Sequence, residues 1–274
     1  MKDEPVITKG AFDSQNLAFY DTTRDRYVCF SRIFINKVRA VQSNTSADFL
    51  GWTEPVPHVY AEGVPWEHFY TSATVPCPTA PHLFLSFPKR FVTDRKKVPE
   101  HEGPGVSDAV FMSSRDGVHW DRPFLEAWVR PGPDLKNWTD RNNMTANGIV
   151  VTGEGEWSLY ISEHYRHDDH RIRRLTVRKQ GFASMHGDAK GGNFTTKPMV
   201  VSGTNLHLNY ATSAAGSVGI EVLDEAGKVV AELKELYGDE FDATALDLSA
   251  LNGKAVSLRV SLKDADLYAL RFGE

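Results

Sequence analysis

The 274-residue chain has little cysteine: Cys29 and Cys77 are the only two. Two thiols make no disulfide framework, and their spacing fits no zinc site. Both read as buried, unreactive side chains. No apolar run reaches the roughly 18 residues that a membrane-spanning helix needs. The opening residues Met1-Lys2-Asp3-Glu4-Pro5 lead into no apolar signal core. Localisation therefore stays open, and a cytoplasmic place follows only if the chain is complete. A basic excess is missing as well. The formal net charge is −5, which argues against a nucleic-acid footprint. No window keeps a 3.6-residue apolar period for four turns, so a strongly helical domain is not expected. Neither a phosphate loop nor a nucleophile elbow is found.

Aromatic residues are what the chain does have: 15 Phe, 9 Tyr and 6 Trp. They favour strands and sugar-stacking surfaces, although cores use the same side chains. Short runs of Val, Ile, Phe, Tyr and Thr recur between Gly, Pro, Asn and Asp clusters. Examples are 16–21, 26–32, 82–87, 148–152 and 157–162. The chain reads as β almost throughout.

One unit is repeated. Ser46-Ala47-Asp48-Phe49-Leu50-Gly51-Trp52-Thr53-Glu54-Pro55 returns as Ser114-Arg115-Asp116-Gly117-Val118-His119-Trp120-Asp121-Arg122-Pro123. Ser, Asp, Trp and Pro recur at an offset of 68, and a similar strand precedes each copy. The Asp or Ser is expected to cap a tight turn through backbone N–H groups. The Trp is expected to cover the apolar edge between neighbouring sheets. A repeat of this length with about four short strands reads as a propeller blade with long loops. Blade one spans about 12–55 and blade two about 67–123. A third set of strands, about 142–181, lacks the Ser-Asp-Trp turn.

The character changes after Gly191-Gly192. Trp and His nearly vanish, and alternating strands take over around 206–210, 218–222, 256–262 and 267–272. This pattern predicts a small antiparallel β-sandwich. The expected organisation is therefore all-β: an incomplete propeller over 1–190, then a sandwich over 191–274.

Phe12-Asp13-Ser14-Gln15-Asn16-Leu17-Ala18-Phe19-Tyr20-Asp21, followed by Arg26-Tyr27, resembles a blade start of the five-bladed propeller glycoside hydrolases of families 32, 43, 62, 68 and 117. More closely, the chain resembles a group of such propellers from planctomycete-like bacteria that carry a C-terminal sandwich. The likeness is carried by Gly105-Val106-Ser107-Asp108, Asn137-Trp138-Thr139-Asp140-Arg141-Asn142-Asn143, Ser162-Glu163-His164-Tyr165-Arg166-His167 and Lys263-Asp264-Ala265-Asp266-Leu267-Tyr268. It covers nearly the whole chain. The resemblance implies a carbohydrate substrate, a central sugar-binding funnel and three acidic residues on innermost strands of different blades. It also implies five blades where this sequence supplies about three. By resemblance an N-terminal portion is missing, or another chain associates through the unclosed propeller edge. Some such propellers hold a calcium ion in the funnel; no cofactor or metal is assigned here. No nucleic acid and no membrane partner is expected.

Glycoside hydrolysis needs an acid with a raised pKa and a base or nucleophile. Asp13, Asp140 and Glu163 are the expected catalytic carboxylates. Asp13 reads equally as a turn cap, Asp140 as half of a surface pair with Arg141, and Glu163 as an ion-pair partner of Arg166 or Arg171. Asn16, His68, Tyr70, Asp108, Arg141, Asn142 and His164 are expected to bind substrate. Mixed donors and acceptors suit sugar hydroxyls, and Arg141 suits a carboxylate or sulfate on an acidic sugar. His68 reads otherwise as a satisfied structural residue, and Asp108 as a turn cap. His164, His167, Asp168, Asp169 and His170 read as an exposed hairpin tip before they read as a metal site. Lys89-Arg90 and Arg95-Lys96-Lys97 read as a solvated basic face, with contact to an anionic polysaccharide as the alternative. Two accounts stand against hydrolysis: a non-catalytic carbohydrate-binding propeller, and an inactive fragment of a longer enzyme.

Overall fold

The computed structural model describes residues 3–274. It is all-β, with two short 3₁₀ turns and no α-helix among the described residues. Among the described residues no helix is long and apolar enough to cross a membrane. The chain separates into two compact units, residues 1–152 with 157–176, and residues 153–156 with 177–274.

The first unit opens with a four-stranded meander of β1 (Leu17–Asp21), β2 (Arg26–Ile35), β3 (Val38–Ser46) and β4 (Val56–Pro57), in that order across the sheet. Its turns are where the sequence allows them. Asp25, Asn36 and Lys37 take positive φ, and Asn is among the residues that adopt this conformation at low cost. This is the topology of a propeller blade.

The second blade is the same meander with its strands broken. The chain runs through β5 (Val59–Tyr60), β6 (Phe69–Thr71), β7 (Val75–Cys77), β8 (Ala80–Ser86), β9 (Lys89–Val92), β10 (Val106–Ala109), β11 (Met112–Ser114) and β12 (His119–Asp121). One half of the blade has the order β7-β8-β11-β12-β5, and the other β6-β9-β10. The breaks are narrow. Phe87 N donates to Ser72 O and Val110 N to Pro88 O, so the ladder resumes beyond each break. Pro88 has no N–H to give, which accounts for one of the interruptions. A bulge between Phe69 and Thr71 lifts Tyr70 out of register against β9.

The third sheet joins β13 (Val150–Val151), β14 (Glu156–Glu163) and β15 (Arg171–Arg178). Asn143 N, bonded to Ser162 O, and Ala146 N, bonded to Tyr160 O, extend its first strand back toward residue 143.

The core of the first unit lies between the first two blades. Leu17, Val28, Phe30 and Val41 pack against Phe69, Phe84, Val110, Met112 and Trp120. Phe30 meets Phe84 and Trp120 edge-on, with ring centroids 5.9 and 6.1 Å apart. The repeated turn holds as its residues require. Asp48 and Asp116 each accept from two backbone amides. Trp52 and Trp120 each donate the indole N–H to the carbonyl three residues back. Cys29 and Cys77 are free and buried, and burial pushes the Cys29 thiol up to about 11.

The second unit adds β16 (Met185–Gly187), β17 (Gly192–Thr195), β18 (Met199–Val200), β19 (Asn205–Leu223), β20 (Val229–Leu236), β21 (Asp239–Asp247) and β22 (Ala255–Gly273). Two 19-residue strands, β19 and β22, pair along their length. Their register shifts between Thr212 and Ser217. There Gly216 lies so close to Asp264 that a Cβ would come within 2.2 Å of its carbonyl oxygen. The strands turn a corner at this point. β21 and β16 border one half of the pair, and β20, β17 and β18 the other. Inward residues from both halves form one core: Leu206, Leu208, Tyr210 and Leu267 with Val218, Ile220, Leu258 and Val260. The unit is a sandwich made by bending one long ladder on itself.

Candidate functional site

Tyr70 is the centre of a cationic cluster between the first two blades. Freed from the ladder by its bulge, its ring faces three cations. Lys89 Nζ lies 4.1 Å from the ring centre, Arg32 Cζ 4.6 Å and Arg39 Cζ 5.7 Å. Strand geometry sets this up. Phe34 and Arg39 are directly paired across β2 and β3, and Arg32 lies two residues from Phe34 on the same face. Both guanidinium groups also lie over the Phe34 ring. Lys89 and Phe91 alternate the same way on β9, and Phe91 borders both Lys89 and Arg39.

Burial makes the cluster costly. Lys89 is 1% exposed and Arg32 4%. Like charges about 10 Å apart repel by roughly 1–2 kcal/mol at an effective dielectric constant of 20. Burial is the main force that drives the Lys89 ammonium down to about 7; Asp140 opposes it, while Arg141, Arg39 and Arg32 add to it. The expectation of a solvated face around Lys89 is thus corrected. Lys89 sits on the inward side of β9, under Tyr70. Arg32 and Arg39 carry only a weak sequence signal: cations in two strands that otherwise hold, apart from Arg26 at the start of β2, no charged residue.

Asp13 joins this cluster from the exposed edge, in an ion pair with Arg32. Asn16 lies beside it and closes its own turn, donating to Phe12 O and Ser14 O. His68 accepts from the Arg39 amide through Nδ1, at 3.3 Å. Its pKa is lowered, first by burial and then by the Arg39 charge.

Asp140 and Arg141 reach the cluster from the loop before the third sheet. Asp140 is buried, with Oδ1 2.7 Å from His101 Nε2. His101, which belongs to no sequence motif, also lines a cavity of about 660 Å³ with Glu100, Glu102, Leu135, Arg166 and His167. Arg141 keeps a 40% exposed side chain and donates to the Tyr165 hydroxyl at 2.6 Å. The loop is held from beneath by Asn142. Its Nδ2 donates to Lys136 O and Thr139 Oγ1, while its Oδ1 accepts from Tyr165 N. Asn142 is fully buried and positions the loop. Arg141, Asn143, His164 and Arg166 all take positive φ, so two unusual turns interlock here.

Glu163 and His164 belong to a separate group. Glu163 is buried and paired with Arg171 and Arg173, both at 2.9 Å, with Asn137 as a further donor. Burial works against the charged form, but the two arginines prevail and its pKa is lowered. That direction is opposite to what a general acid needs. His164 is wedged between Asp134 and Asp169, at 2.8 and 2.9 Å, and it is buried, not at an exposed hairpin tip. Lys136 and His164 hold Asp169 down to about 2. Among the described residues no group of three His, Cys, Asp or Glu has the arrangement of a metal site.

Asp108 lies in a third place. Arg90 grips it through Nε and Nη2 at 2.9 and 2.7 Å, and Arg90 also binds Glu67. The pair borders a cavity of about 420 Å³ that includes Arg95, Glu126, Arg130 and Trp138. The structure therefore brings Asp13, Tyr70, Asp140 and Arg141 into one neighbourhood, with His68 and Asn16 at its edge. Asn142 supports that neighbourhood, and Asp108, Glu163 and His164 stand outside it.

No family model matches the chain, and no curated protein matches it. Among solved structures it is similar to an N-acetylgalactosamine deacetylase from F. plautii in complex with blood group B trisaccharide. The identity is 12% and the TM-score 0.42, over 96% of this chain and 52% of that one. A glycoside hydrolase shows the same identity and score over 64% and 51%. A family 32 β-fructofuranosidase of Bombyx mori in complex with sucrose shows 8% identity and a TM-score of 0.38 over 93% and 90%. The chain spans about half the length of the first two.

Proposed function

We propose that the chain is a glycoside hydrolase-like protein of the five-bladed propeller type. It acts on a polysaccharide or oligosaccharide at the site around Tyr70, Asp140 and Arg141. The observation that carries this reading is the cavity beside His101. It encloses about 660 Å³ with polar side chains on Glu100, His101, Glu102, Arg166 and His167, and the buried Asp140 carboxyl bonds the His101 imidazole that lines it. The blade meanders and the sequence resemblance support the fold half of the reading.

In this reading Asp140 and Asp13 are the acid/base pair. Asp140 exchanges a proton with the sugar side through His101, and Asp13 works from the exposed edge, paired with Arg32. Tyr70 stacks on a sugar face, and Arg141 and Tyr165 bind hydroxyls. Glu163 is placed with the scaffold because its two arginines keep it charged.

One observation favours a second reading, a carbohydrate-binding propeller without turnover. Asp13 and Asp140 are both already engaged, by Arg32 and His101, so both are built to hold partners. A panel of neutral and acidic polysaccharides, assayed for new reducing ends with wild type and Asp140→Asn, separates the two. Release by wild type that Asp140→Asn loses supports hydrolysis. Binding with no release by either supports the second reading. Equal release by both removes Asp140 from the chemistry.

A further inference from the structure

The cations around Tyr70 outnumber the carboxylates that could neutralise them. Arg32, Arg39, Lys89 and Arg141 face Asp13 and Asp140. Asp140 is already engaged by His101, and the Asp13 side chain is 75% exposed on its single contact with Arg32. Donors are left over. Arg32 Nε and Nη1 and Arg39 Nε are buried and have no hydrogen-bond partner among the described residues. The Lys89 ammonium rests on the Tyr70 and Phe91 rings. Buried donors without acceptors and buried cations without counter-ions are both unfavourable. A fold tolerates them where a ligand completes them.

We propose that this cluster is an oxyanion subsite, which holds a carboxylate or sulfate group carried by the sugar. The inference rests on the carbohydrate reading above and names its substrate class: an acidic glycan. An oxyanion supplies several acceptors at once, and the arginine forks match its geometry. The half-buried Tyr70 ring, with Lys89 packed under it, offers a face for the sugar that carries the group. The oxyanion takes the donors that Asp13 leaves free, Arg32 Nε and Nη1 and Arg39 Nε, so Asp13 keeps its pairing with Arg32. Arg141, on the open side, meets the incoming glycan first. Alternation on β2, β3 and β9 is what aims Arg32, Arg39 and Lys89 at one point, so the subsite is built into the strands.

The test is calorimetric binding to the full chain at about pH 6 and low salt, where screening is weak. The probes are a galacturonic acid trimer, a sulfated galactose trimer, the neutral galactose trimer and inorganic sulfate. At least one charged trimer is expected to bind ten-fold or more tighter than the neutral trimer and than inorganic sulfate; which one it is separates a carboxylate subsite from a sulfate subsite. Lys89→Met and Arg39→Gln, each checked for a cooperative melt, are expected to reduce that affinity to the neutral level. Equal affinity for charged and neutral trimers overturns the oxyanion subsite and leaves the carbohydrate reading intact. Inorganic sulfate binding as tightly as the charged trimers supports the anion site and overturns the carbohydrate reading. Failure of every probe to bind overturns both, and full affinity in both variants overturns the placement.

Discussion

Asp48 and Asp116 stand 68 positions apart and make the same turn. Asp48 Oδ1 accepts from the amides of Leu50 and Gly51, both at 2.8 Å. Asp116 Oδ1 accepts from Val118 and His119 at 2.8 and 2.7 Å. In each copy a serine two residues earlier bonds the same oxygen, at 3.2 Å. The backbone amides lower the Asp48 pKa, and His119 with two amides lowers that of Asp116 to about 2. The repeat is therefore a pair of equivalent capped turns, each closing the hairpin before the last strand of its blade. Asp116→Ala is expected to lower stability by about 1 kcal/mol, a figure already reduced for solvent screening. Asp48→Ala is expected to act in the same direction. Urea denaturation of both variants checks this, and unchanged midpoints would contradict it.

His58 makes the protein sensitive to acid. Its ring stacks on Trp120 with centroids 4.8 Å apart, and neither nitrogen has a partner among the described residues. Burial drives its pKa down to about 3, against a weak opposing pull from Asp116. Below the ordinary value of 6.5 the unfolded chain gains a proton that the folded ring refuses. Stability from this group is complete above about pH 6.5 and falls as the pH drops toward about 3. Thermal midpoints across that window are expected to decline in wild type. The decline is expected to be shallower in His58→Phe.

Lys89 should trade stability for function. Its pKa of about 7 lies below the ordinary 10.5, so its contribution to stability grows as the pH rises between those values. Lys89→Met is expected to gain about 1–3 kcal/mol near neutral pH, since an apolar side chain replaces a buried charge. Oxyanion binding should run the other way and weaken as the pH rises through about 7. Burial sets that midpoint first; Asp140 raises it, Arg141, Arg39 and Arg32 lower it, and the Tyr70 and Phe91 rings lie in contact. Calorimetry and thermal melts of the same samples read both effects.

Glu163→Gln separates scaffold from chemistry. The carboxylate is buried, but its partners Arg171 and Arg173 are more than half exposed. The variant is expected to lose about 1–2 kcal/mol of stability, less than a fully buried pair would cost, because solvent screens both arginines. Turnover per folded molecule is expected to stay near wild type. A loss of turnover with an unchanged melt would return Glu163 to the active site.

The blades and the sandwich were readable because each rests on local pattern. Turn-forming residues, period-two alternation and the Ser-Asp-Trp unit all act over a few positions. The broken strands of the second blade were less readable, and only Pro88 marks a break in advance. The site was harder still. Tyr70, Asp140 and Arg141 stood out by type, but Arg32, Arg39 and His101 gain their meaning only from residues far away in the chain. Glu163 and His164 looked similar to Asp140 in sequence. What separates them is the company they keep: two arginines for Glu163 and two aspartates for His164.

The central claim is that the Tyr70 neighbourhood holds the glycan, and Arg141 tests it most directly. Its side chain is 40% exposed, so Arg141→Gln can be made without disturbing the core. Binding of an acidic polysaccharide, followed by calorimetry beside a thermal melt, should weaken at least ten-fold with the melt unchanged. Undiminished binding by a folded Arg141→Gln protein would contradict the account.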